Sequence, residues 1–142
     1  MKGTYTLLLE LDESKNIKVG SLGDREFKKG FYAYTGSALG PGGLKRVDRH
    51  IRVSKGENDT RQWHIDYLNG DHSTRILTVV KSYDKIECDV VERIRGQRVE
   101  DFGASDCGCD SHLIYSGSYD KLMDSVEEAY NTVSNEVVVE SL

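Results

Sequence analysis

The chain has 142 residues, 19 Lys and Arg against 24 Asp and Glu, a formal net charge of −5, and 37% hydrophobic and 30% charged residues. That length suits one soluble domain able to bury a core without disulfides, and no apolar run reaches the length of a membrane span, which excludes a helical membrane protein and points to the cytoplasm. The net charge of −5 at first speaks against a nucleic-acid binder, because phosphate affinity comes from clustered lysine and arginine.

In chain order, Thr4 to Glu10 reads as a first strand with Tyr5, Leu7 and Leu9 on one face. Asp12 to Asn16 is a turn and Ile17 to Val19 a short second strand; residues 30 to 36 form the next, completing a β-meander. On that strand Tyr32 and Tyr34 share one face, while Phe31 and Ala33 point to the other. Gly36, Gly40, Pro41, Gly42 and Gly43 end it. Leu44, Val47 and Ile51 then recur at helical spacing, and Arg46 and His50, four residues apart, lie on one face of that helix. A polar loop over 54–60 follows.

Trp63 to Leu68 predicts a short helix with Trp63, Tyr67 and Leu68 inward. Arg75 to Lys81 is a β-branched run expected as a central strand, and Asp84 is placed to cap a helix that buries Ile86, Val90, Val91 and Ile94 and closes at Gly96. Gly103 to Ser111 is a small-residue loop, His112 to Tyr115 a last short strand, and Leu122, Met123, Val126, Ala129, Tyr130 and Val133 mark a C-terminal helix. The fold class predicted is α+β, a small, mostly antiparallel sheet flanked by helices. It forms one domain over 1–142, with a core over about 1–117, a helix over about 119–133 and a polar tail.

The charge is uneven. Lys45, Arg46, Arg49, Arg52 and Lys55 face only Asp48 within that span, while Glu127, Glu128, Glu136 and Glu140 load the C-terminal part. One basic helix on an acidic body is compatible with nucleic-acid binding through Lys45, Arg49 and Arg52. Three cysteines, an odd number, argue against a disulfide framework.

A strand tyrosine facing a helical Arg and His is suited to holding a phosphate and moving a proton beside it. Gly3-Thr4-Tyr5, Tyr34-Thr35-Gly36 and the pair Arg46 and His50 resemble the paired signatures of the GIY-YIG nuclease superfamily. More narrowly, three segments resemble a GIY-YIG-like family of unknown function, DUF123: Tyr32 to Ala38, Trp63-His64-Ile65-Asp66-Tyr67-Leu68, and Ser105-Asp106-Cys107-Gly108-Cys109-Asp110-Ser111-His112. That family occurs alone or joined to an endonuclease III-type DNA-repair glycosylase.

The resemblance implies a divalent-metal-dependent phosphodiesterase acting on nucleic acid, DNA in preference to RNA, with a DNA-repair protein as partner. It implies Tyr5 as base or orienter of the attacking water, Tyr34 beside the phosphate, Arg46 as charge stabiliser and His50 as a proton-transfer or phosphate-contacting group. Of two candidate carboxylates, Glu87 and Glu92, Glu87 matches the family's pattern and is the expected ligand of a single Mg²⁺ or Mn²⁺. Tyrosine is a poor base unless its pKa falls from about 10, so a neighbouring Arg46 or metal would have to lower it. The alternative is a non-catalytic nucleic-acid-binding or adaptor module that keeps the fold.

Each residue also has a plainer role open to it. A strand tyrosine usually packs, Arg46 and His50 fit a solvated helix face, and Glu87 could pair with Lys85. Asp106, Cys107, Cys109 and His112 form a second cluster, suited to zinc if Cys88, His64 or Asp106 adds a ligand. The same loop also reads as inert or redox-sensitive thiols, or as a border of the active cleft. Trp63 reads as core, while His64 and Asp66 are polar residues able to face that cleft.

Overall fold

The sheet is built outward from β1 (Thr4–Leu11), which hydrogen-bonds antiparallel to β4 (Gly30–Ser37) on one side and β5 (Thr74–Ser82) on the other. The computed structural model describes residues 2–38, 43–100, 102 and 111–142. Beyond β4 lie β7 (Leu113–Ser116) and β6 (Gln97–Arg98), and beyond β5 lies β8 (Val137–Ser141), giving a six-stranded order β6-β7-β4-β1-β5-β8. Every neighbouring pair is antiparallel. With flanking helices the protein is α+β, as the sequence predicts.

Strand alternation decides what each face carries. Tyr5, Leu7, Leu9 and Leu11 pack with Val47 of α1 (Lys45–Ser54) and with Ile65 and Leu68 of α2 (His64–Asn69). A separate two-stranded hairpin, β2 (Lys15–Lys18) and β3 (Asp24–Phe27), joins this face through Ile17 and Phe27. On the other face Leu8, Ala33, Val80 and Ile114 pack against Val90 of α3 (Glu87–Arg93) and against Leu122, Val126 and Tyr130 of α4 (Tyr119–Val133). Tyr32 and Tyr34 both join the α1 side and Ala33 the other, so the alternation read from the sequence holds.

Several expectations are corrected. No meander opens the fold, because β2 pairs with β3 and β4 returns to β1. β5 is an interior strand, yet β1 is more central, since β8 covers only the far side of β5. That covering strand comes from the segment expected as a polar tail; Val137 to Val139 supply the β-branched run. Asp84 does not cap α3. Its carboxylate accepts from the Ser134 hydroxyl at 2.7 Å, and Ile86 occupies the cap position without a side-chain bond. The buried stripe of α1 is Val47, His50 and Val53, which turns His50 inward and leaves Ile51 partly exposed. Finally, Cys88 is disulfide-bonded, with its partner outside the described residues. An odd count leaves a thiol over but does not forbid one bridge.

Packing also fixes where the first motif sits. A Cβ added at Gly3 would collide with the Ser82 carbonyl oxygen, a backbone atom that cannot yield without disturbing the β1–β5 pairing. Gly3→Ala is therefore expected to lower stability by about 1–3 kcal/mol, read as a fall in the thermal midpoint; an unchanged midpoint would refute the contact.

Candidate functional site

The five residues singled out above come from two strands and two helices. Tyr5 lies near the start of β1, Tyr34 near the end of β4, Arg46 and His50 on α1, and Glu87 in the first turn of α3. The register sets Tyr5 directly opposite Gly36. A Cβ there would come within 2.5 Å of the Tyr5 hydroxyl oxygen, so glycine in Tyr34-Thr35-Gly36 is the space the Tyr5 ring occupies.

The Tyr5 hydroxyl lies 2.9 Å from Nε2 of His50, the two rings 5.4 Å apart. Tyr34 meets the same imidazole edge-on at 6.2 Å. Burial lowers the His50 pKa from 6.5 to about 4; Asp66 opposes the shift, and Arg49 and Arg46 add to it. His50 is thus neutral near pH 7 and able to accept the phenolic proton at Nε2. Its Nδ1 is buried without a hydrogen-bond partner, 3.9 Å from Oδ1 of Asp66.

Burial raises the Tyr5 phenol well above its ordinary value, with Tyr34 and Glu87 adding to the rise. Arg46 does lower it, as the sequence suggests, but burial outweighs Arg46 and the phenol stays protonated. Tyr34 is raised as well, by burial first and then by the charges of Glu87 and Asp66. The Glu87 charge raises both phenols, and it raises Tyr130 on the other face of the sheet as well.

Arg46 donates through Nη1 to the Ser37 carbonyl at 2.7 Å and stacks on Trp63 with its guanidinium carbon 4.9 Å from the ring centre. Arg49 stacks on the same ring at 4.6 Å. Trp63 thus packs against the core edge, as the sequence reads it, and also supports two arginines.

Asp66 is the residue the sequence underweights. Its fully buried carboxylate accepts from Arg49 Nη1 at 3.0 Å and Nη2 at 2.9 Å, and from the backbone N–H of Gln62 at 2.8 Å and of Trp63 at 3.0 Å. Burial would raise its pKa, yet the bonds from Arg49, Trp63 and Gln62 hold it below the usual carboxylate range. Arg49 is consequently occupied. Lys45 and Arg52, the other expected phosphate contacts, stand exposed on α1.

Of the second cluster, Asp106, Cys107 and Cys109 lie outside the described residues. His112 is described, and it reaches the site: its Nδ1 is 3.1 Å from Oε2 of Glu87. This pairing replaces the Lys85 partner considered for Glu87. His64 turns instead to the ring of Phe102 at 6.1 Å. Among the described residues no group of three or more His, Cys, Asp or Glu side chains comes together to hold a metal.

Asp66→Ala leaves the Arg49 guanidinium without its buried partner and frees two backbone N–H groups. The expected cost is about 3–5 kcal/mol in denaturant unfolding; a change under about 1 kcal/mol would show that the carboxylate clamps nothing.

No helix among the described residues is long and apolar enough to cross a membrane. No curated protein and no solved structure matches the chain. The family model described as "Domain of unknown function DUF123" matches residues 4–135, nearly the whole sequence, and the chain therefore belongs to the DUF123 family.

Proposed function

We propose that this chain is a divalent-metal-dependent phosphodiesterase of GIY-YIG type, cleaving nucleic acid and DNA in preference to RNA. What carries the reading is the hydrogen bond between the protonated Tyr5 phenol and a neutral His50, with Tyr34 against the same imidazole and Arg46 acting on the Tyr5 hydroxyl. A phenol in this state is no base on its own. With His50 as acceptor it becomes one, because the Tyr5 oxygen draws a proton from water as its own proton passes to Nε2.

The water oxygen then bonds to phosphorus while the bond to the bridging oxygen breaks, and the leaving oxygen takes a proton from solvent. Arg46, held on Trp63, faces the charge that grows on the phosphoryl oxygens. Tyr34, which keeps its proton, hydrogen-bonds through its hydroxyl to a phosphate oxygen. The Asp66 carboxylate, 3.9 Å from Nδ1, favours the positive charge His50 acquires.

Glu87 would hold the metal. Its side chain is 16% exposed, and the His112 imidazole lies 3.1 Å from its Oε2. A single carboxylate completed by water and phosphate oxygens suits Mg²⁺ or Mn²⁺. The ion would supply charge neutralisation at the leaving oxygen.

A second reading, a non-catalytic nucleic-acid-binding or adaptor module, draws on one observation: Tyr5 is only 2% exposed. With Arg49 engaged by Asp66, its phosphate contacts on α1 would fall to Lys45 and Arg52. Cleavage of labelled single-stranded, duplex, flapped and branched DNA and RNA, with Mg²⁺ or Mn²⁺ against chelator, separates the two. Glu87→Ala is expected to abolish metal-dependent products with its thermal midpoint within a degree or two, since a partly exposed carboxylate contributes little to packing. Full cleavage by that variant would remove Glu87 from the site, while salt-sensitive binding without products from the wild type would favour the adaptor.

Proton transfer of this kind also requires neutral His50. Followed by NMR, its ring is expected to titrate at about 4, not 6.5. Its neutral burial contributes to stability fully above pH 6.5, and the contribution is lost as pH falls through about 4, because only the unfolded chain takes the proton readily in between. A midpoint near 6.5 would mean a solvated ring and no buried acceptor.

A further inference from the structure

Resting on the assignment of Glu87 as metal ligand, we propose that His112 is the positioning residue for its carboxylate, and that β4 holds His112 in that role through Thr35.

His112 Nδ1 lies 3.0 Å from the Thr35 carbonyl oxygen. A carbonyl only accepts, so the proton must sit on Nδ1, which fixes the tautomer. The same nitrogen lies 3.1 Å from Oε2 of Glu87, so the carboxylate sits beside the N–H that the Thr35 carbonyl engages, within the positive field of that dipole. The ring itself cannot drift. Its side chain is 2% exposed, its carbonyl accepts from the Thr35 N–H at 3.0 Å, and its own N–H donates to the Phe102 carbonyl at 2.9 Å.

Glu87 has no comparable restraint of its own. It belongs to a seven-residue helix, and no hydrogen bond from its carboxylate to another described residue accompanies the His112 contact. Left alone, a glutamate samples several rotamers, and ordering it for one ion costs entropy. His112 removes that freedom in advance, as partners behind metal-ligating side chains do. The geometry also gives Thr35 a task. Between Tyr34, beside the phosphate, and Gly36, which makes room for Tyr5, its carbonyl aims the imidazole that aims the carboxylate. A residue from the 105–112 segment is thereby joined to the site of the paired tyrosines.

The test is Mn²⁺ binding followed by water-proton relaxation, without substrate, on wild type, Glu87→Ala, His112→Ala and His112→Asn, each checked for folding by thermal melting. Asparagine places an N–H donor where Nδ1 stands. His112→Ala is expected to weaken Mn²⁺ binding about 10–100-fold, and His112→Asn to restore it to within about 3-fold. If His112→Ala does not fold, His112→Leu fills the buried space without a donor and takes its place in the comparison. Wild-type affinity in the folded donor-less variant overturns the proposal, as does an asparagine variant no better than it, since packing alone would then explain the loss. If wild type and Glu87→Ala bind Mn²⁺ equally or not at all, the metal assignment of Glu87 fails first and the role of His112 falls with it.

Discussion

The buried Asp66 carboxylate is the constraint on which the site depends. A full charge without solvent is tolerated only when its acceptor positions are filled, and here four donors fill them. Two come from Arg49 on α1 and two from the backbone entering α2, so one side chain locks the two helices together. Trp63 is thereby fixed under Arg46 and Arg49, and the carboxylate faces the imidazole that Tyr5 touches. Residues 61–66 thus act chiefly from behind the site, through the orientation of α1.

The electrostatic order within the site follows from burial. Two phenols, an imidazole and a carboxylate are crowded where water is scarce, so the phenols keep their protons and the imidazole stays without its second one. Cations alone do not overturn this. Arg46 pulls Tyr5 downward and is outweighed. The arrangement holds Tyr5 as a phenol hydrogen-bonded to a neutral imidazole and not as a free phenolate.

Two faces of one sheet contribute to the site. Tyr5 and Tyr34 belong to the α1 side, whereas Glu87 arrives on α3 from the other and meets His112 beside the end of β4. The opposite side of β1 carries its own polar contact, where Thr6 joins the Thr35 hydroxyl and the Tyr130 hydroxyl, each at 2.8 Å. Consecutive residues of β1 and β4 therefore serve different ends: one set the candidate site, the next the seam between the sheet and α4.

Much was legible from the sequence, because local periodicity carries it. Alternation on β1 and β4, the stripe of α4 and the i, i+4 pair on α1 are properties of short windows, and they brought Tyr5, Tyr34, Arg46 and His50 to one place. The family was legible too, from the motifs themselves. What only the tertiary structure decided were pairings across distance: β8 on β5, β2 with β3, Arg49 on Asp66 and His112 on Glu87. No window of sequence encodes these, since each depends on which strands become neighbours and on which polar group is left buried and in need of a partner. The sequence by itself determined the candidate site residues, while the fold determined their protonation and the side chains that hold them, because burial and non-local contact exist only once the chain has folded.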